Sequence, residues 1–325
     1  MIAAGYRERF MKQISGAVGG VAAMAILPAQ AQTYPSRPVE LTVAFTPGAV
    51  TDIFARALSE GLSQTLGQRF VVVNKAGATG AIGSVAVARA APDGYSLLFT
   101  PAVSITVLPL QNKEIGYTHK SFETICQTFK NEMVIITRPD SPFKSVGEII
   151  AAARARPNQV SYGHLGIASI PHLAMTELSI YAKTDFNAVP FKGDADVMQN
   201  VSGGHIEFGS VVLSSAMGGG MKIVGLFAEQ RNPGIPDVPT LKEQGFDVAP
   251  ASFGGIVGPV GMPAEVKTKL MAACKSAALG ETYAKLVRSV GQPVDYYSEA
   301  DAFSRRLDKD VVDKTVLLKA LGELK

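Results

Sequence analysis

The chain has 325 residues, with 31 lysines and arginines against 28 aspartates and glutamates, a net charge of +3. With no basic stripe and no interleaving of basic with aromatic residues, that balance argues against a nucleic-acid partner. The two cysteines, Cys126 and Cys274, form no C-x-x-C or metal-ligand cluster; their spacing leaves pairing open, and two buried thiols are the expectation from the usual burial of cysteine.

In chain order, Arg7, Arg9 and Lys12 precede an apolar, small-residue stretch over 14–27 that closes in Pro28-Ala-Gln-Ala31. This is the order of a secretory signal, expected over 1–31, with Met1 or Met11 as the start. The stretch falls short of the roughly 20 apolar residues that a spanning helix needs, and no later segment reaches that length. A mature chain of roughly 290 residues, expected to be exported, is long for one core and fits two domains.

Val39-Glu-Leu-Thr-Val-Ala-Phe45 reads as a strand, broken by Pro47-Gly48 and followed by a helix over 52–66 with Phe54, Leu58 and Leu62 at helical spacing. Thr51 or Asp52 is suited to cap that helix. The first N–H groups of a helix lack internal partners and carry partial positive charge, so a carboxylate or phosphate finds donors there. The turn holds no His, Cys or Lys, which favours holding an anion over transforming one; an ordinary capped turn fits the same residues. Further strands are expected at 70–73, 95–99, 133–136, 159–162, 186–189, 206–209 and 223–227, and helices at 83–90, 145–153, 171–181, 195–202 and 241–244. Their alternation predicts parallel sheets with helices on the faces, an α/β class. Beyond Pro259 the pattern is helical, at 263–279, 281–290 and 299–321. The Pro/Gly/Ser-rich passages Arg138-Pro-Asp-Ser-Pro142 and Pro250-Ala-Ser-Phe-Gly-Gly255 read as two crossings between lobes, leaving a hinge and a cleft.

The run Asn74-Lys-Ala-Gly-Ala-Thr-Gly-Ala-Ile-Gly83 is neither the dinucleotide fingerprint nor a phosphate loop, and alone it fits a tight packing turn. It belongs, however, to an ordered series. Tyr34-Pro-Ser-Arg-Pro38, Thr46-Pro-Gly-Ala-Val-Thr-Asp52, Asn74 to Gly83, Ala88-Arg-Ala-Ala-Pro-Asp-Gly-Tyr95, Ser161-Tyr-Gly163, Pro171-His-Leu-Ala174, Val189-Pro-Phe-Lys-Gly193, Gly203-Gly-His-Ile206 and Pro236-Asp-Val-Pro-Thr240 follow one another along nearly the whole chain. In order and approximate spacing the set resembles the Bug-type receptors, the substrate-binding proteins of tripartite tricarboxylate transporters.

The resemblance implies a two-lobed, type II-like periplasmic binding protein, with a mainly parallel sheet flanked by helices in each lobe. Lobe 1 would take 34–137 and 251–325, and lobe 2 would take 138–250. It also implies a monomer that closes on a small organic acid and meets integral membrane transporter subunits, with no catalytic centre, metal or cofactor. Carried onto this sequence, the first-lobe contacts are Thr46, Gly48, Ala49, Val50, Thr51, Asp52, Thr79, Gly80, Ala81 and Thr100. The second-lobe contacts are Gly163, His164, Ala168, Ser169 and Val211, with Ser169 and the amides near Ala168 gripping the far end of the ligand. Asp52 would repel an anion and is assigned to capping the helix or receiving a ligand amino group, with capping preferred; His172 is expected to make a structural hydrogen bond.

Departures from the family pattern are Val50 for glycine, Ala81 for Asn, His164-Leu165 for serines, and Val211-Val212 for Asp-Ser. The segment Ser214-Ser-Ala-Met-Gly-Gly-Gly220 is about one turn shorter than usual. Each substitution makes the site bulkier or drier, and no acid stands at 211 to meet an ammonium group. An aromatic or aliphatic carboxylate is therefore expected over a zwitterionic amino acid or a hydroxylated acid. An accessory of a membrane sensor kinase shares every one of these features. An exported hydrolase is a different class: Ser210 follows Gly209, yet there is no G-x-S-x-G elbow, H-x-x-x-H or acidic cluster to support it.

Overall fold

The computed structural model describes residues 34–293 and 295–324, so the signal peptide expected over 1–31 lies outside the described residues. In chain order the elements are β1 Val39–Val43, α1 Val50–Leu66, β2 Phe70–Asn74, α2 Ala81–Ala88, β3 Ser96–Pro101, the short α3 Val103–Thr106 and α4 Leu108–Gln111, and β4 Phe122–Thr137. Next come α5 Val146–Ala155, β5 Ser161–His164, α6 Ile170–Ala182, β6 Asn187–Pro190, α7 Asp194–Ser202, β7 Phe208–Val212, the one-turn α8 Leu213–Ala216 and β8 Lys222–Phe227. The chain closes with β9 Ala251–Pro259, α9 Ala264–Leu279, α10 Glu281–Ser289, β10 Ser298–Glu299 and α11 Ala300–Ala320.

The strands run β2-β1-β3-β9-β4-β7-β5-β6, with β8 and β10 also paired to β4. The three strands at each end are parallel, β1 to β2 and β3, and β5 to β6 and β7. Strands β9 and β4 between them are antiparallel to their neighbours. This is an α/β fold of two sheets, with β4 as the element common to both. Strand β1, flanked on both edges, has Val39, Leu41, Thr42 and Val43 all without exposed surface, as a parallel strand covered on both faces requires. Helix α1 turns Phe54, Leu58 and Leu62 inward, where they join Leu41, Phe99, Phe129 and Tyr283 in the first core. Ile135, Ile149, Met175, Leu178, Phe208 and Phe227 form the second.

Three sequence expectations change. The passages read as loop crossings are not where the sheets join: 138–142 follows β4, and 251–255 is the first half of β9. Gly254 and Gly255 mislead a sequence reading because they serve close approach. A Cβ on Gly254 would strike the Thr100 carbonyl oxygen and the Phe129 ring, and one on Gly255 the Cys126 carbonyl oxygen. Residues 241–244, expected as a helix, form only turns, and the segment is held by the Leu241 N–H donating to the Leu226 carbonyl. Cys126 and Cys274, expected as two buried thiols, form a disulfide that ties β4 to α9 across 148 residues, Cα to Cα 6.4 Å.

Candidate ligand site at the carboxyl ends of the parallel strands

In an open α/β sheet, ligands lie outside the carboxyl ends of the strands, where the strand order reverses. Here that place is the carboxyl end of β1, between β2 and β3. Helix α1 starts there behind Ala49, which has extended φ/ψ and supplies no side-chain cap. The Ala49 N–H donates to the Thr46 carbonyl and the Gly48 N–H to Asp52 Oδ2 at 2.9 Å. The N–H groups of Val50, Thr51 and Asp52 meet no acceptor among the described residues, so a helix of 17 residues presents three open donors.

Asp52 does not cap α1 as the sequence reading has it, and its carboxylate is not open to a ligand amine. It is 2 % exposed, sits in the first turn, and reaches back to the loop. Oδ2 accepts from Gly48 and from Arg56 Nε, while Oδ1 accepts from Arg56 Nη2 and Asn74 Nδ2, all at 2.8–2.9 Å. Burial alone raises this carboxyl, but the Arg56, Gly48 and Asn74 hydrogen bonds outweigh it and bring it down to about 2. The charge beneath the open N–H groups is thereby neutralised by Arg56.

A second turn enters beside the first. Gly77, Ala78, Thr79 and Gly80 all have positive φ. Gly80 and Gly83 admit the close packing of α2: a Cβ at either would crowd Ser104 or Ala44. Ser104 Oγ also donates to the Thr79 carbonyl at 3.1 Å. On the other sheet, β5 runs into a loop in which Gly166 and Ala168 have positive φ. Of the five non-glycine residues with positive φ among those described, Ala78, Thr79 and Ala168 lie in these two loops, and such strain gathers where function dictates geometry. The second loop meets the other chain segments through Ala168 and Leu173, which pack with Val107, Leu317 and Leu318, against Val103 and Leu110.

Below the second loop two histidines stack, ring centroids 4.1 Å apart. His164 Nδ1 donates to the Gly166 carbonyl at 2.9 Å, and His172 Nδ1 accepts from the Ala168 N–H at 3.2 Å. The latter bond requires an unprotonated Nδ1, so His172 is neutral with its proton on Nε2. Burial, then the neighbouring His164, lowers His172 from 6.5 to about 4, and burial lowers His164 as well. The unfolded chain therefore binds protons that the fold refuses. Stability is full above pH 6.5 and falls as the pH drops toward 4, by on the order of 3 kcal/mol for His172. A His172→Gln variant, whose side chain cannot titrate, should show a flatter urea midpoint between pH 6.5 and 4; an unchanged slope would refute this assignment.

Among the expected contacts, Thr46, Gly48, Val50 and Thr79 are exposed, and Ala49, Thr51, Ala81 and Ser169 are half-buried. Others are interior. Val211 has no exposed surface and pairs with Val134 of β4, so its side chain belongs to the core. Thr100, 1 % exposed, donates to the Pro101 carbonyl. Gly163 lies under Ile206, Val197 and Phe191, Gly80 is buried against Ser104, and His164 is taken up in the stack. The Ala168 N–H, expected to grip ligand, is bound by His172, and Ser169 Oγ accepts from the His172 N–H as the cap of α6. Ser210 is buried in β7 with no exposed surface.

The sequence reading missed two features. Ile82 at the start of α2 and Ile167 in the second loop are 55 % and 65 % exposed, as Val50 is at 51 %. The second is Asp194, whose Oδ2 accepts from Ser215 at 2.6 Å while Oδ1 has no partner among the described residues. Burial raises this carboxyl, against hydrogen bonds from Ser215 and the Val212 N–H. An acid thus stands at the end of β7 after all, supplied from the start of α7.

The family described as Tripartite tricarboxylate transporter family receptor matches residues 54–322. The chain belongs to that family. It is 32 % identical over 309 residues to the UPF0065 protein in the gbd 5' region of Cupriavidus necator, covering 91 % of this chain and 94 % of that one. Its fold superposes on a TctC solute-binding protein from Polaromonas with a TM-score of 0.79 at 31 % identity, over 89 % of this chain and all of the other. It is also similar to an R. palustris protein solved with adipate, TM-score 0.72 at 25 % identity, covering 89 % and 98 %. The receptor is thus a solute-binding protein of the two-lobed periplasmic class. No helix among the described residues is long and apolar enough to cross a membrane, and no cluster among them could hold a metal ion.

Proposed function

We propose that this chain is an exported receptor that closes on a small carboxylate and delivers it to a membrane transporter of the tripartite tricarboxylate type. The observation that carries the reading is the uncapped start of α1, where three N–H groups stand open and the one acid of the first turn, Asp52, is spent on Arg56 and Gly48. The lobes are taken as 34–137 with 251–325, and 138–250, with the 133–137 end of β4 pairing into the second sheet. The disulfide accords with an oxidising, extracytoplasmic compartment.

The ligand carries an apolar body. Val50, Ile82 and Ile167 leave apolar surface on all three loops, and closure around an aliphatic or aromatic acid covers it. The adipate held by the R. palustris protein is an acid of this kind. Asp194 sits with one oxygen unpaired among the described residues, and burial raises its carboxyl. Calorimetry with adipate, benzoate, aspartate and citrate tests the class: tight aspartate or citrate binding with no response to the apolar acids would overturn it. Thr51→Val, which removes one hydroxyl from a half-buried position, should weaken binding of the best acid by about tenfold and leave the unfolding midpoint in place. Unchanged affinity would remove Thr51 from the site.

A further inference from the structure

An open cavity of about 490 Å³ lies apart from the α1 cradle, between α6, the edge of the second sheet and the end of α11. None of its lining residues comes from the turns that follow β1 or β2. Its walls mix apolar Ile180, Phe186, Ala188 and Leu321 with polar Asn158, Ser179 and Thr184, and the buried Tyr162 and His172 also line it.

The first is Tyr162, 3 % exposed, whose ring stacks on Phe208 at 5.5 Å and meets Phe186 edge-on at 6.0 Å. Its hydroxyl has no hydrogen-bond partner among the described residues, and Tyr162 is one of the residues that line the cavity. Burial raises its pKa, so it remains an O–H donor. The second is His172, 7 % exposed. With Nδ1 accepting from Ala168, its proton is on Nε2, which likewise has no described partner. Thr176, one helical turn beyond His172 on α6, has already spent its hydroxyl proton on the His172 carbonyl. At the exposed rim Lys183 and Asp185 bear opposite charges.

Neutral polar groups and a rim on which Lys183 and Asp185 cancel do not suit a carboxylate, because burying that charge costs more than such bonds return. They suit an oxygen acceptor on an uncharged molecule. We propose that this cavity is a second ligand site, taking a small neutral compound with an apolar body and a carbonyl oxygen that accepts from Tyr162 Oη and His172 Nε2. Its chemistry differs from that of the anion cradle. Because His172 also holds the Ala168 N–H, an occupant fixes the loop 165–169, and the two sites are coupled with the same factor in both directions.

The test uses the full exported chain and 4-fluoroacetophenone, followed by fluorine NMR. Saturable binding is expected. Tyr162→Phe, which removes only the unpartnered hydroxyl, should weaken it by about five- to tenfold without moving the unfolding midpoint. Ala188→Trp, at an exposed edge position on the cavity wall, should abolish it, and Thr51→Val should leave it unchanged. In crystals soaked with 4-bromoacetophenone the bromine anomalous peak should lie between Tyr162 and Leu321. Absence of saturable binding, equal affinity in Tyr162→Phe, or bromine in the cleft beside α1 would each overturn the proposal.

Discussion

Replacing both Cys126 and Cys274 by alanine should lower the unfolding free energy by about 3–5 kcal/mol while leaving ligand affinity unchanged. The bridge closes a loop of 148 residues, so in the chain-entropy account its removal frees the unfolded ensemble by up to about 5 kcal/mol. Both residues have no exposed surface and sit in the first core with Phe54, Phe129 and Tyr283, so the variant also loses packing. Neither touches the turns at 46–49, 77–80 or 165–169, which is why binding should persist. Urea denaturation of the oxidised protein and the double variant checks this, with a larger slope expected for the variant because its unfolded state is less compact. A loss below about 1 kcal/mol would mean that residual structure in the unfolded chain already supplies the constraint. Since the bridge is inaccessible in the fold, dithiothreitol should reduce it at the rate of opening rather than at the rate of an exposed disulfide.

Asp52→Ala should destabilise the fold by about 2–3 kcal/mol and cut affinity for the acid by more than tenfold, through the loop rather than through a lost contact. Four donors converge on this carboxylate, and two of them, the Gly48 N–H and the Asn74 amide, belong to the turns that shape the cradle. Arg56 is half-exposed and regains water when its partner is removed, which keeps the cost below that of a buried pair broken in a dry interior. Asp52→Asn retains one acceptor and should fall between the two. The pH dependence separates this group from the histidine stack. Asp52 is depressed from 3.8 to about 2, so its contribution is present above pH 4 and is lost as the pH falls through 2, below the window in which His172 acts. In Asp52→Asn that lower window should vanish while the histidine window remains. A ligand affinity equal to wild type in Asp52→Ala would show that the turn holds its shape without the carboxylate.

The strand-turn-helix at 39–66 was readable because each signal is local: a β-branched run, Pro47-Gly48, then apolar residues at helical spacing, observed as β1 and α1. The same holds for β2, β3, β5, β6, β8 and the helices beyond Pro259, whose ends differ from expectation by one to a few residues. β4 was only partly readable. Its 133–136 part carries the apolar run, but 122–132 includes Glu123, Gln127, Lys130 and Glu132, which the fold accepts through distant partners. The Gln127 amide donates to the Tyr296 carbonyl, the Lys130 ammonium meets Asp295, and Glu132 accepts from Asn232. Partners some 100 to 169 positions away leave no periodic trace in a window of ten residues.

The candidate site divides in the same way. Local chemistry in the sequence determined that a helix begins after Thr46-Pro-Gly48 with a donor-rich, His-free and Lys-free turn, and the ordered motifs carried that turn into a receptor family. Tertiary structure alone decided which neighbours count. It turned Val211, Thr100 and Gly163 inward, because a strand alternates its faces and sheet order sets which face is covered. It spent the Asp52 carboxylate and the Ala168 N–H on structural bonds, brought Asp194 to the end of β7, and joined Cys126 to Cys274. A hydrogen bond or a disulfide depends on separations of a few ångströms between residues remote in the chain, and sequence spacing does not carry that distance.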